Sequence, residues 1–555
     1  MAEEGNIMAS SLINIASSGL KAANLALSTT SNNIANANTD GYNRQSVKLA
    51  ESAGTMTSYG SVGTGVTILT VDRAYDALVV AQLRSATASY ESINAYYEQI
   101  SQVDNLLSDS ESSLSTMMSS FFSGLQSLTE NASDTSARQT IISSAQSLVN
   151  QYVSADTYLR DMDSAINQQL STNSDLVNNY ATQIANINQQ ITRLGSSGTS
   201  ANDLLDQRDL LIDNLNKLVG VTVSTQDSNV INVSLSNGQT LVQGNTAYQL
   251  VAVSSSADTS RITIAYDNGI GDPIEINEDT LTGGSISGLL SFRSDVLDSA
   301  RNQLGLIALT LADSFNAQHS AGVDLKGGAG TDFFSFSSPD VVSNTKNDGT
   351  AILSAAYTDT SAVKASDYSL SYDGSAWKVI RVSDNASVTA AVDTDGDGNT
   401  TLSFDGLIIT VDGDASANDS FLVNTVSNVI NSLSVRITDV ALIAAGSGGG
   451  ESDNSNALKL LDLQNQNLIA GNATFNDAYA SLVSDIGVKA QSAKTNSTVQ
   501  SNIVDQLTTK QQSISGIELN EEYIDLTRYQ QYYLANAKVL STANTIFDSL
   551  LSAVN

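Results

Sequence analysis

The sequence predicts a multidomain α+β protein. Its frame is an elongated α-helical bundle or coiled coil formed by both termini and their flanking helices, with β-rich outer domains inserted into it. Heptad stripes stand at both ends of the chain, the apolar period changes from helical to alternating at Gly220, and 555 residues exceed what one core encloses.

The first stripe defines an N-terminal heptad helix within 8–45. Ile13, Leu20, Leu27 and Ile34 recur every seven residues, with Ala16, Ala23, Thr30 and Ala37 three residues after each. Lys21 is the only charge between 11 and 37. A seam this small buries little area, and such a helix is marginal alone. Its partner stands at 521–555, where Leu526, Tyr533, Leu540, Phe547 and Val554 are seven apart, with Tyr529, Asn536, Ala543 and Leu550 three residues on. Large side chains on one helix can there meet alanines on the other.

Residues 46–220 read as the N-terminal part of a helical domain. One stripe runs through Leu83, Ala86, Tyr90, Ile93, Tyr97, Ile100 and Leu107, continuing less regularly to Leu114, Met118 and Phe121. Another runs through Ile166, Val177, Tyr180, Ile184, Ile187, Ile191 and Leu194. A shorter helix spans 202–218, with Asn202 or Asp203 able to cap it. Helices of about 30–40 residues reach roughly 45–60 Å, so this part is elongated.

Residues 221–283 form a small β-rich insertion, in which Ile231, Val233 and Leu235 alternate ahead of an Asn237-Gly238 hairpin signal. Helical spacing returns over 284–320. Residues 321–440 read as an acidic β-rich outer domain, with hairpins in "DYSLSYDGSAWKVIRV" and "LSFDGLIITVDG". Over 441–520, "AAGSGGGESDNSN" (444–456) reads as a flexible linker ahead of the C-terminal part of the helical domain. Residues 1–7 read as a leader or start-site extension, with Met8 as an alternative initiator.

The formal charge of −33, from 58 acidic and 25 basic side chains, argues against nucleic-acid binding and against adhesion to anionic membranes. No run approaches the ~18 apolar residues of a membrane helix. The acidic start lacks the basic region of a secretory signal peptide. Cysteine is absent, which excludes disulfides and thiolate chemistry. Proline occurs only at Pro273 and Pro339. Both scarcities suit a chain that is exported unfolded, although high helix content also lowers proline.

No catalytic, cofactor or metal site emerges. The single His319 excludes paired-histidine chemistry, and its setting "FNAQHSAG" reads as a helix end. "GGSISG" (283–288) reads as turn rather than dinucleotide loop. "DTDGDGN" places Asp393, Asp395 and Asp397 at calcium-loop spacing, but Phe404 stands where a bidentate Glu belongs, so an acidic strand-joining loop is the preferred reading. Trp377 reads as β-core.

One stretch fits none of this chemistry. "SNNIANANTDGYNRQ" (31–45) resembles the signature at the N-terminal end of bacterial flagellar axial proteins, the rod, hook and hook-associated family. Asn32, Asn33, Ile34, Ala35, Asn36, Thr39, Gly41, Tyr42 and Arg44 carry the match. "EEYIDLTRYQQYYLANAKVLSTANTIFDSLL" (521–551) is similar to the family's C-terminal signature. "NDLLDQRDLLIDNLNKLVGV" (202–221), "FNDAYASLVSDIG" (475–487) and the lead-in from Ser513 are similar to segments of the hook-associated members.

The resemblance implies a structural, non-enzymatic subunit that assembles at the distal end of the hook and joins hook to filament. It implies terminal helices packed with copies of the same chain into a tube, and contacts with hook subunits and the next hook-associated protein. It further implies a flagellar export chaperone on the face of Leu526, Tyr529, Tyr533, Leu540, Phe547 and Leu550, type III export, and an extracellular position. Two alternatives stand beside it: another axial subunit of hook or filament, and a secreted acidic adhesin or calcium-binding surface protein.

Overall fold

The computed structural model describes residues 2–57, 60–108, 113–195, 201–226, 229–448 and 450–554. Helix α1 (Ala2–Ala35) leads through a turn into a ribbon of β1 (Gln45–Glu51), β2 (Thr55–Thr57), β3 (Gly60–Val62) and β4 (Val66–Arg73). In that ribbon β1 pairs antiparallel with β4, and β2 with β3. Four helices follow: α2 (Ala77–Ser108), α3 (Leu114–Glu130), α4 (Thr135–Gly195) and α5 (Asn202–Leu218).

Next come two small sheets. A meander of β5 (Val221–Thr225), β6 (Ile231–Leu235), β7 (Thr240–Gln243) and β8 (Thr246–Ala247) precedes a three-stranded sheet of β9 (Gln249–Ser254), β10 (Ile262–Asp267) and β11 (Ile274–Glu275). Helix α6 (Gly284–Phe292) runs through a π-helical turn into α7 (Asp298–Ser320).

The outer domain is a sandwich that opens after β12 (Phe334–Ser335). Its strands are β13 (Asp340–Ser343), β14 (Ile352–Tyr357), β15 (Tyr368–Tyr372), β16 (Trp377–Arg381), β17 (Ala386–Val388), β18 (Ala391–Thr394), β19 (Thr400–Phe404), β20 (Leu407–Asp412) and β21 (Ser420–Asn424). One sheet has the order β13-β21-β15-β16-β17 and the other β14-β20-β19-β18. Tyr368 and Phe404 meet edge to face between them. Helix α8 (Val429–Ser432) and β22 (Ser434–Val435), paired with β12, bring the chain back to α9 (Ser455–Asp462), α10 (Phe475–Ser515) and α11 (Leu519–Val554).

One large apolar core runs through the helical body and the sheets, with a small separate cluster at Ile187, Ile191 and Ala201. Helix α10 lies antiparallel to α2: Tyr479 donates to the Leu107 carbonyl, and Ser497 to Asn94. Helix α4 is the spine, with Ile141, Leu148, Ala155 and Met162 buried at heptad spacing ahead of the stripe that begins at Ile166. The α4 stripe therefore starts about seven turns earlier than expected. Phe121, Phe315, Phe333 and Phe334 form an aromatic cluster where α3, α7 and the chain entering β12 meet.

Several local expectations change. The α5 N-cap is Ala201 without a side-chain cap bond, because the Asn202 amide reaches the Val71 carbonyl instead. "GGSISG" is a turn only at Gly283; Gly284, also at φ +78°, opens α6, and a Cβ on Gly288 would collide with the Ser92 carbonyl of α2. The stretch expected as a flexible linker is tied down. Ala444 and Ala445 are buried, Asn456 bonds the Ala444 carbonyl, and Val323 bridges Gly446. Composition signalled a linker because short side chains and glycine also suit a chain pressed against a core.

His319 explains the tie. Its Nδ1–H donates to the Thr331 carbonyl at 2.6 Å and its Nε2 accepts from the Ala444 N–H at 2.9 Å. Both ring nitrogens are used, and burial lowers the pKa. In the outer sandwich Trp377 packs against Tyr372 and Phe421. Asp395 accepts from the Asp397 and Asn399 N–H groups, so its carboxylate closes the turn between β18 and β19.

Candidate functional site: the elbow between the terminal helix pair and the body

The signature residues gather where two chain segments bend together. Helix α1 runs antiparallel to α11: Gly19 lies against Asn536, and Asn33 against Glu522. One segment bends between α1 and β1, the other between α10 and α11, and the Arg44 N–H ties the two bends by donating to the Ser515 carbonyl at 2.9 Å.

Asn33 is the centre of this elbow. Its Nδ2 donates to the Gln45 carbonyl (2.9 Å) and to Glu522 Oε2 (3.0 Å), while its Oδ1 accepts from Tyr42 (2.9 Å) and the Gln45 N–H (3.0 Å). Arg44 completes the group, with Nε on Glu522 Oε1 at 2.7 Å and further contacts to Glu521 and Asp525. Glu522 is 1% exposed, so its charge depends on these partners. Burial, aided by the Asp206 and Glu522 carboxylates, pushes the Tyr42 phenol up to about 12, which keeps it a donor.

The remaining signature residues shape the turn. Asn36 donates to the Asn32 carbonyl and side chain, Thr39 donates to Asn36, and Asn32 donates to Tyr42. Gly41 sits at φ +77° against Leu210, where a Cβ would be both strained and crowded.

The elbow is bolted to the body through one face of α5. Asp206 accepts from the Asn43 N–H and side chain and from Arg73. Asp209 bridges Arg73 (2.7 Å) and Arg84 (3.1 Å), and Asp213 takes Arg84 at 2.6 Å. Burial works against the Arg84 charge, but Asp213 and Asp209 outweigh it and hold the pKa above the ordinary value. Sequence reading passed over these residues. Asp206, Asp209 and Asp213 stand three and then four apart, which places them on one helical face. Glu522, inside the quoted C-terminal signature, was also passed over.

The seam residues divide by size. Ala16, Ala23, Ala26 and Thr30 are buried, whereas Ile13, Leu20, Leu27 and Ile34 are half-buried beside them. Small residues let α11 approach one side of α1 and the ribbon another, where Ser18 accepts from the Val66 N–H. On α11, Ala543 is buried, Leu526, Tyr529, Leu540 and Phe547 are half-buried, and Tyr533 is exposed; the Leu550 side chain lies outside the described residues. The other side of α11 is also apolar: Ile524, Tyr532, Val539 and Ile546 are 67%, 52%, 41% and 42% exposed.

Grooves of about 900 and 750 Å³ flank the 37–43 turn. Among the described residues no group of His, Cys, Asp and Glu is arranged to hold a metal, and no helix is long and apolar enough to cross a membrane.

These features define a structural subunit whose two termini form one unit. Comparisons with known proteins agree. Residues 13–43 match the flagella basal body rod protein family, and 510–553 match the C-terminal family of flagellar basal body rod FlgEFG proteins. Between them, 100–334 match the helical domain of flagellar hook-associated protein FlgK, and 342–425 match a D2-like domain of flagellar hook-associated protein 1.

The chain belongs to the flagellar hook-associated protein 1 family. It is 51% identical over 554 residues to the flagellar hook-associated protein 1 of Salmonella typhimurium (strain LT2), covering 98% of this chain and all of that one. The Escherichia coli K12 relative is 50% identical over 548 residues, with the same coverage. Among solved structures, the flagellar hook junction protein FlgK from Burkholderia pseudomallei superposes with a TM-score of 0.74 at 29% identity, covering 78% of this chain and all of that one.

Proposed function

We propose that this chain is the subunit that caps the distal end of the flagellar hook and forms the junction on which the filament is built. It works by assembly rather than catalysis. The α1–α11 pairs of successive copies pack into a tube around a central channel, the helical body surrounds them, and the sandwich faces outward. Its neighbours are hook subunits on one side and the next hook-associated protein on the other. It reaches this extracellular position unfolded, by the flagellar type III route, after a cytosolic export chaperone has covered α11.

The observation that carries this reading is the second apolar stripe of α11. Exposed Ile524, Tyr532, Val539 and Ile546 lie beside a seam already closed on α1, and a helix apolar on both sides needs a second neighbour. The elbow supports it, because the tie from Asn33 and Arg44 to Glu522 makes the two terminal helices move as one rod. The test is electron microscopy of cells lacking the gene, with flagellin assayed in the medium. Complete but bare hooks and secreted flagellin are expected. Missing hooks would move the subunit inward to rod or hook, and normal filaments would overturn the reading.

A further inference from the structure

The outer sandwich meets the helical body at a polar joint that the assembly reading does not use. Asp367, just ahead of β15, accepts from the Thr425 N–H at 3.0 Å and from Asn302 Nδ2 of α7 at 3.2 Å. Asn302 and Thr425 are buried, yet Asn302 Oδ1 and Thr425 Oγ1 have no hydrogen-bond partner. A cavity of about 500 Å³ opens beside them.

Carboxylates outnumber guanidiniums around it. Helix α7 contributes Asp298 and Arg301, and α4 contributes Arg160 and Asp163. The β9–β10 loop contributes Asp258 and Arg261, and β13 contributes Asp340. Asp298 is held by Arg261, and Asp156, behind the wall, by Arg160. Asp367 has no guanidinium of its own within ion-pair distance among the described residues.

We propose that this joint is an acid-set latch: with a proton on Asp367 the carboxyl donates to Asn302 and fastens the sandwich to α7, and without it the joint loosens. The proton comes from solvent and sits on Oδ2. The Asn302 amide turns over about its terminal bond, so that its unpartnered Oδ1 accepts from Oδ2–H. An ionised carboxylate instead meets the repulsion of Asp298 and is better solvated with the joint open.

Burial, followed by repulsion from Asp298, raises the Asp367 pKa to about 6 against the pull of its two hydrogen bonds and Arg261. A raised carboxyl pKa means that the latch is fully closed in acid and is lost as pH rises through about 6.

The absence of cysteine allows clean spin-labelling of the full chain at Gln146→Cys on α4 and Lys378→Cys on β16, both exposed. Electron–electron distance measurements across pH 4.5–8 should give one narrow distribution in acid that broadens as pH rises toward about 6. Asp367→Asn should stay narrow throughout, and Asn302→Ala should stay broad throughout. A distribution that is unchanged with pH in the parent labelled chain overturns the proposal, whatever the variants do. So does an Asp367→Asn protein that keeps the parental midpoint, since another group would then carry the titration.

Discussion

Asn33 donates to the buried Glu522 carboxylate at 3.0 Å across 489 positions of sequence, and Arg44 occupies the other oxygen at 2.7 Å. One carboxylate thus holds the end of α1, the start of β1 and the first turn of α11 in a fixed arrangement. The N-terminal signature is therefore, within one chain, part of the fastening between its own two ends.

Glu522→Ala should therefore uncouple the terminal pair from the body. Removing one partner of a buried charge group costs ~3–5 kcal/mol. Arg44 is about a third exposed, which places the cost at the lower end of that range. Amide hydrogen exchange in α1 and α11 should speed up by roughly a hundred-fold or more, while α2, α4 and α10 are unchanged. Equal protection of α11 in the variant and the parent would rule out this role for Glu522.

Gly305 tests the joint between α7 and the returning outer strand. A Cβ there would overlap the Val426 carbonyl, a backbone atom that cannot turn aside. Gly305→Ala should destabilise by ~1–3 kcal/mol despite its better helix propensity. Gly396→Ala, with nothing within 4 Å of its added Cβ, should leave the melting temperature unchanged. Calorimetry of the two variants side by side separates packing from propensity.

His319 makes a pH prediction of opposite sign to that of Asp367. Its folded pKa lies below the ordinary 6.5, with burial the leading cause. The neutral ring is thus the stabilising form. Its contribution is complete above about pH 6.5 and falls away as acid protonates Nε2, which must accept from the Ala444 N–H. His319→Asn should lower stability by ~1–3 kcal/mol at pH 7.5. That difference should shrink by pH 5, as followed by denaturant unfolding at both values.

The heptads made both terminal helices legible, because seven-residue spacing is local information. The same signal at Ile141, Leu148, Ala155 and Met162 was available for the first half of α4. The β hairpins were legible from Asn237-Gly238 and Asp373-Gly374, where Gly238 and Gly374 take positive φ. What composition misread was 444–456, because the partner of Ala444 is His319, 125 residues away. For the elbow, resemblance picked out Asn33 and Arg44. Their acceptor Glu522 could not be paired with them by any local rule, since a chain with 58 acidic residues offers too many candidates.

The second stripe of α11 separates assembly from folding. Val539→Asp with Ile546→Asp changes side chains that are already exposed, so helicity and melting temperature of the isolated chain should match the parent. At an interface between copies, each lost apolar contact forfeits ~1.5–3 kcal/mol, and burying an unpaired carboxylate adds to the loss. Cells carrying the pair should therefore show bare hooks and flagellin in the medium. Leu540→Asp and Phe547→Asp act on the seam facing α1 and should impair incorporation and chaperone binding together, with reduced protection of α1. Normal filaments from the Val539 and Ile546 double variant would mean that this face of α11 meets water rather than a neighbour, and the tube would need a different contact.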